Sequence, residues 1–79
     1  MLKLRILNMK RFLETVNTCV DAVIRKYPDG SKENINRQGG CQSRLIEEYE
    51  KNGKCLLLWI EIVNPHDYFK IVNYYLGDC

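Results

Sequence analysis

The sequence predicts a small α+β domain, in which a mostly antiparallel sheet carries two helices packed on one face. Three observations lead to this prediction: an apolar run at residues 55–63, a strong turn sequence at residues 27–31, and two segments with helical periodicity. The apolar run is bounded by turn signals and is rich in β-branched and aromatic residues, which is typical of a strand. It is also too short for a membrane span, which takes about 20 apolar residues.

The apolar run has the pattern of a central strand. Residues 56–60 are apolar at every position, whereas a strand with one wet face alternates apolar and polar residues. We therefore expect both faces of this strand to be covered and both of its edges to be paired. A hairpin elsewhere in the chain is the natural source of neighbours for it.

Residues 10–27 are compatible with two structures. Their apolar residues fall on one helical face, in the order Phe12, Leu13, Val16, Val20, Val23, Ile24 and Tyr27. A strand is favoured by the many β-branched residues and by the turn at residues 27–31, where Pro28 presets φ and Gly30 supplies a positive φ. Because both edges of the central strand must be paired, we predict a hairpin of roughly 16–27 paired with 32–37. For residues 10–15, a helix remains the alternative.

The remaining elements follow from local signals. Residues 1–8 alternate apolar and basic side chains, which predicts an edge strand or a disordered lead-in. Gly39 and Gly40 are expected to lie in a loop, before a helix at 42–51. A second helix is predicted at 65–76, with apolar residues over more than half of its circumference. Part of that apolar surface should be exposed or should contact another molecule.

Length and composition describe one small globular domain spanning residues 1–79. A chain of 79 residues buries only about 60% of its extended-chain surface, so its core is small. Hydrophobic residues make up 46% and charged residues 28%, a balance typical of a folded chain. The N-terminal segment lacks the apolar core of a secretory signal. The sequence therefore predicts a cytoplasmic protein with reduced thiols.

The charge balance bears on the kind of partner. The net charge of +2 comes from 12 basic and 10 acidic side chains. This is weak for a dedicated nucleic-acid-binding domain, whose pI exceeds about 9, and it has the wrong sign for an acidic mimic of DNA. We expect a protein partner, with nucleic acid not the primary one and no membrane contact. The chain is expected to be a monomer or a small homo-oligomer.

Four cysteines raise the hypothesis of a structural zinc site: Cys19, Cys41, Cys55 and Cys79. Zinc would stabilise a core this small, with four thiolates as ligands or three thiolates and His66. The alternative is that these cysteines are small buried hydrophobic residues. The absence of a CxxC spacing favours the alternative.

The sequence predicts a protein without enzymatic activity. His66 is the only histidine, and its neighbour Asp67 would not face it on a helix, so no oriented base is evident. Gly39 and Gly40 are too few glycines for a phosphate-binding loop.

Two groups of residues are candidates for partner binding. They are the basic residues Arg25, Lys26, Lys32 and Arg37, and the tyrosines Tyr68, Tyr74 and Tyr75. The basic residues would lie on or near the hairpin, where they face a phosphate backbone or an acidic protein, or are simply solvated. Tyrosine is enriched at interfaces because it joins a large apolar ring to a polar tip. Core packing with hydroxyls at the rim is the alternative for the tyrosines.

In size and composition, the whole chain resembles the small lysine- and asparagine-rich proteins of phages and mobile elements of low-GC Gram-positive bacteria. Among these it is similar to anti-CRISPR inhibitors, a group that shares no common motif, so the resemblance carries over no site residues. It implies a non-enzymatic inhibitor that binds a CRISPR effector nuclease in the bacterial cytoplasm and blocks its nucleic-acid loading. The alternative function is a small nucleic-acid-binding or regulatory module, with zinc as a structural addition.

Overall fold

A computed structural model describes residues 2–78, without the side chain of Asp78. Within that range the elements are β1 (Leu2–Ile6), α1 (Met9–Asn17), β2 (Val23–Lys26), β3 (Lys32–Asn34), α2 (Gly39–Lys51), β4 (Leu56–Ile62) and α3 (Pro65–Asp78). The strands form one antiparallel sheet in the order β1-β4-β2-β3. The predicted α+β class is confirmed. None of the described helices is both long and apolar enough to cross a membrane.

The last strand, β4, lies in the middle of the sheet. It pairs with β1 on one edge and with β2 on the other, antiparallel to both. Consequently β1 and β2 run parallel to each other with β4 between them, and α1 connects them across the sheet. The prediction that residues 55–63 form a central strand with two paired edges is confirmed, with the strand observed at 56–62.

One face of the sheet is open, contrary to the expectation that β4 is covered on both faces. Leu58 and Ile60 are buried, whereas Leu57 and Trp59 are 45% and 42% exposed. The described helices pack on the face that contains Leu58 and Ile60, where they form one core with the strands. A chain of 79 residues supplies enough helix for one face only, so the apolar side chains on the other face stay in water.

The hairpin is confirmed at its turn but is shorter than predicted. Strand β2 begins at Val23, not at residue 16, and its partner β3 ends at Asn34. The segment before β2 is helix α1, which adds a third helix to the two that were predicted. Phe12 and Val16 of α1 are fully buried. Burial of this apolar stripe outweighs the small helix penalty of β-branched residues. The side chain of Asn8 accepts a hydrogen bond from the backbone of Arg11 at 3.2 Å, which caps the helix start.

Helix α2 begins earlier than predicted. Gly39 and Gly40 form its first turn, with the backbone N–H of Gln42 donating to Gln38 at 2.9 Å. The loop expected at the two glycines therefore ends at Gln38. The predicted end of the helix is observed, because Gly53 adopts a φ of 71° directly after Asn52.

Helix α3 is longer than predicted. As the sequence indicates, its apolar side chains are divided between the core and the solvent. It begins at Pro65, and the side chain of Asn64 accepts a hydrogen bond from the backbone of His66 at 2.8 Å. Ile71 is fully buried in the core, whereas Phe69 and Leu76 are 61% and 77% exposed. The expected exposure of part of the apolar arc is thus observed.

Candidate interaction surface

The open face of the sheet carries one row of side chains that crosses all four described strands. Lys3 of β1 is paired with Trp59 of β4, Trp59 with Lys26 of β2, and Lys26 with Lys32 of β3. Residues directly opposite each other in a sheet have neighbouring side chains on the same face. Three lysines and one tryptophan therefore lie side by side, with the tryptophan between two of the lysines.

The rest of the open face is apolar at its centre and basic at the β1 side. Arg5 lies opposite Leu57, and Ile24 lies opposite Glu61. The face thus combines four basic side chains with a single acidic one, which makes it more positive than the chain as a whole. We name it the open sheet face, defined by Lys3, Arg5, Ile24, Lys26, Lys32, Asn34, Leu57, Trp59 and Glu61.

Trp59 is contacted on two sides. The ammonium of Lys3 lies 5.2 Å from the centre of its ring, a cation–π distance. On the side of β2, a recess of about 260 Å³ is lined by Trp59, Lys26, Tyr27 and Pro28. The hairpin turn therefore forms one wall of a small recess whose other wall is the tryptophan ring.

Glu61 is loosely associated with two lysines of the open sheet face. Its carboxylate oxygens lie 3.9 Å from Nζ of Lys26 and 3.7 Å from Nζ of Lys32. Both distances are longer than a hydrogen bond, and the side chain of Glu61 is 43% exposed. The side chains of Lys26 and Lys32 are 26% and 53% exposed, so an external anion can reach them in competition with Glu61.

Arg25, predicted to contact a partner, lies on the core side of β2. It is only 7% exposed, and its guanidinium binds both carboxylate oxygens of Glu48 at 2.7 and 3.1 Å. It also lies 4.4 Å from the ring centre of Tyr27. Burial works to lower the pKa of Arg25, but the hydrogen bonds to Glu48 and the negative charge of that carboxylate together outweigh it and raise the pKa. Arg25 is therefore held inside the fold by Glu48, with little of its guanidinium left for a partner.

The other predicted basic residues have separate roles. Lys26 and Lys32 lie on the open sheet face, as described above. The guanidinium of Arg37 instead donates to the backbone carbonyls of Asn17 and Cys19, at 3.4 and 3.2 Å. Arg37 thus holds the segment that joins α1 to β2, and it does not extend the row of lysines.

The three predicted tyrosines are divided between the core and the surface. Tyr74 is buried, with its hydroxyl donating to the carbonyl of Asn8 at 3.0 Å. The hydroxyl of Tyr75 accepts the backbone N–H of Arg5 at 3.3 Å, which covers part of the outer edge of β1. Only Tyr68, at 41% exposure, presents a large part of its ring to solvent.

Three of the four cysteines lie in the described part of the chain, and they do not form a metal site there. Cys19 is fully buried, and burial raises the pKa of its thiol to about 11. Cys41 lies in the first turn of α2, Cys55 precedes β4, and Cys79 lies outside the described residues. Within residues 2–78, no three His, Cys, Asp or Glu side chains are close enough to hold a metal ion. The zinc hypothesis, with His66 exposed at the start of α3, gains no support from this part of the chain.

A polar cluster around Glu33 lies between the hairpin and α2. Its carboxylate accepts hydrogen bonds from the hydroxyl of Tyr27 at 2.6 Å, from the thiol of Cys41 at 2.9 Å, and from Arg44. The bonds from Cys41 and Tyr27 hold the pKa of Glu33 below its ordinary value. The same contact with Glu33 raises the pKa of Cys41, so the thiol is protonated at neutral pH and is a poor nucleophile.

The sequence did not predict that Trp59 lies on the same face as the basic residues of β1. The alternation of residues 1–8 already places Lys3 and Arg5 on one side of a strand. The missing information was that Trp59 lies on the same side, which depends on the register between β1 and β4. No family model matches the chain, and no curated protein or solved structure matches it either.

Proposed function

We propose that this protein is a non-enzymatic binding protein whose open sheet face docks onto an acidic surface of a partner protein. The observation that carries the proposal is the exposure of Trp59 and Leu57 at the centre of that face, within a set of four basic side chains. Buried aromatic anchors inside a charged rim are typical of the residues that dominate protein–protein binding energy.

Two features favour an acidic protein over a nucleic acid. An open sheet with an exposed aromatic residue also occurs in proteins that stack bases of single strands. Here, however, the face carries four basic side chains with one acidic side chain among them, few for a strand that brings one phosphate with every nucleotide. The net charge of +2 is also low for binding a polyanion.

The proposed mode of action is steric inhibition. A domain with extents of 31 × 28 × 21 Å covers a surface comparable to a standard protein interface when it docks through one face. The resemblance to anti-CRISPR inhibitors makes a CRISPR effector nuclease the first target to test, with blocked nucleic-acid loading as the expected effect. The basic open sheet face fits an acidic surface of such a target, not the positively charged channel that holds nucleic acid.

Differential capture from a bacterial host lysate tests the proposal. The wild type, Trp59→Ala, Lys26→Glu and the control Lys10→Glu, which changes an exposed lysine of α1, are immobilised at equal density. We expect the wild type and Lys10→Glu to retain the same protein. Trp59→Ala and Lys26→Glu should bind it at least tenfold more weakly, because each removes a contact at the centre of the face.

The captured protein is then identified, and purified CRISPR nucleases are assayed for loss of cleavage with each variant. Equal retention by all four immobilised proteins would overturn the assignment of the open sheet face. Tight binding to a single-stranded oligonucleotide, with an affinity that falls steeply with salt, would replace the protein partner by nucleic acid.

A further inference from the structure

We infer that the recess between Trp59 and the hairpin turn receives an aromatic side chain of the partner that is flanked by carboxylates. This inference rests on the proposed binding of an acidic protein at the open sheet face. It adds which groups the partner contributes. A planar ring of the partner would lie between Trp59 and Pro28, and a carboxylate of the partner would bind Lys26 and Lys32.

The size of the recess suits one side chain. Its volume of about 260 Å³ lies below the range of roughly 300–1,000 Å³ that is usual for small-molecule sites. It is lined by Trp59, Lys26, Tyr27 and Pro28. The indole ring of Trp59 and the adjacent ammonium of Lys26 favour an aromatic ring over an aliphatic side chain, because the ring gains stacking and cation–π contacts.

The wall of the recess that comes from the hairpin is held in place by its own hydrogen bonds. The backbone N–H of Tyr27 donates to Ser31 at 2.9 Å, and that of Gly30 donates to Tyr27 at 3.0 Å. The hydroxyl of Tyr27 donates to Glu33 at 2.6 Å, which anchors the residue before Pro28 on the core side of the sheet. Because this turn is already ordered before binding, docking of the partner does not include the entropic cost of ordering it.

The acidic neighbour follows from the position of Glu61. Its carboxylate lies 3.9 and 3.7 Å from the ammonium groups of Lys26 and Lys32, too far for hydrogen bonds. A carboxylate of the partner beside the recess reaches the same two ammonium groups from the solvent side. The aromatic and acidic requirements are thus met next to each other, at Trp59 and Lys26, which are paired in the sheet.

Three blocked pentapeptides test the inference, with the sequence Glu-Asp-X-Asp-Glu and X as Tyr, Leu or Ala. Trp59 is the only tryptophan of the chain, so selectively excited tryptophan fluorescence reports binding at this recess directly. We expect the Tyr peptide to bind about tenfold more tightly than the Ala peptide, with the Leu peptide between them. Lys26→Gln should weaken binding of all three peptides, whereas Lys10→Gln on α1 should not.

The outcomes separate this inference from the proposed function. Equal affinity for the three peptides, still lowered by Lys26→Gln, would overturn the aromatic recess and leave the acidic-partner surface standing. A Leu peptide that binds as tightly as the Tyr peptide would overturn the preference for a ring. Binding of none of the peptides would overturn the inference, and differential lysate capture would then decide the proposed function by itself.

Discussion

The buried carboxylate of Asp67 accepts the backbone N–H of Asp21 at 2.9 Å, across 46 positions of sequence. Its second oxygen accepts the N–H of Val20 at 3.0 Å. Nearby, the ammonium of Lys70 donates to the carbonyl of Thr18 at 2.8 Å. The first turns of α3 thereby hold the segment that leads from α1 to β2, and with it the start of the hairpin that forms half of the open sheet face.

Substitution Asp67→Asn should lower the free energy of unfolding by about 2 kcal/mol at pH 7, because hydrogen bonds to a charged group are worth about 1.5–3 kcal/mol. An amide retains one acceptor oxygen, so at least one of the two N–H groups loses its charged partner. Urea denaturation measures the change, with the exposed Glu47→Gln as control. A loss equal to that of the control would show that the carboxylate does not stabilise this segment.

The contribution of Asp67 should depend on pH in a defined direction. Burial acts to raise the pKa of the carboxyl group, but the backbone N–H donors and nearby Lys70 outweigh it and lower the pKa below 3.8. A lowered folded-state pKa stabilises the fold above the ordinary value and loses this effect as the pH falls through the lowered value. The difference in stability between the wild type and Asp67→Asn should therefore be full at pH 6 and shrink below about pH 4. A difference that stays constant down to pH 2 would contradict this.

The pair Arg25–Glu48 should contribute modestly to stability. Glu48→Gln leaves the nearly buried guanidinium of Arg25 without an ionised partner. The side chain of Glu48 is 45% exposed, so solvent screening reduces the effect to about 1 kcal/mol, well below the 3–5 kcal/mol of a fully buried pair. A double-mutant cycle with Arg25→Met measures the coupling. Additive effects of the two substitutions would show that the pair contributes nothing.

Gly40 in α2 and Gly53 just after its end should respond to alanine in opposite directions. At Gly53, φ is 71° and nothing lies within 4 Å of an added Cβ, so Gly53→Ala suffers the backbone penalty alone, about 1 kcal/mol. At Gly40, in the first helical turn, the surrounding space is equally open and φ is not positive, so Gly40→Ala should stabilise by about 0.5 kcal/mol. Thermal unfolding compares the two, each serving as control for the other. A change of the same sign at both positions would contradict the difference in backbone conformation between Gly40 and Gly53.

Removal of the single acid from the open sheet face should strengthen binding of an acidic partner. Glu61→Gln frees Lys26 and Lys32 from their nearest carboxylate, and a rim charge is worth up to about 1 kcal/mol, or roughly fivefold in affinity. Fluorescence titration with the acidic Tyr peptide measures the gain, which should diminish at high salt. The control is Glu50→Gln, an exposed acid of α2. Weaker binding by Glu61→Gln would indicate that the carboxylate itself contacts the partner.

Strong local signals allowed much of the fold to be predicted from sequence. The turn at residues 27–31, the helix start at Asn64 and the helix end at Gly53 all depend on preferences that act within a few residues. Residues 10–27 were different, because the same apolar pattern suits a helix and a strand. That choice was made by tertiary burial, which places Phe12 in the core and leaves Val20 at the surface.

The candidate surface was the least predictable part. Alternation along the hairpin places Arg25 and Lys26 on opposite sides, but nothing local says which side faces the helices. Pairing of Arg25 with the buried Ile60 turns Arg25 inward and leaves Lys26 beside Trp59. A one-residue change of register would exchange the two, since side chains alternate between the faces of a strand.

The sequence by itself determined that this chain is a small α+β domain with a central strand at its apolar run, because hydrophobic pattern and turn chemistry are local properties. Only the tertiary structure decided that β4 is covered on one face. The described helices fill a single layer, and the register of β4 between β1 and β2 then aligns Lys3, Trp59 and Lys26 on the uncovered side. The proposed binding surface exists because strands distant in sequence pair in that one register.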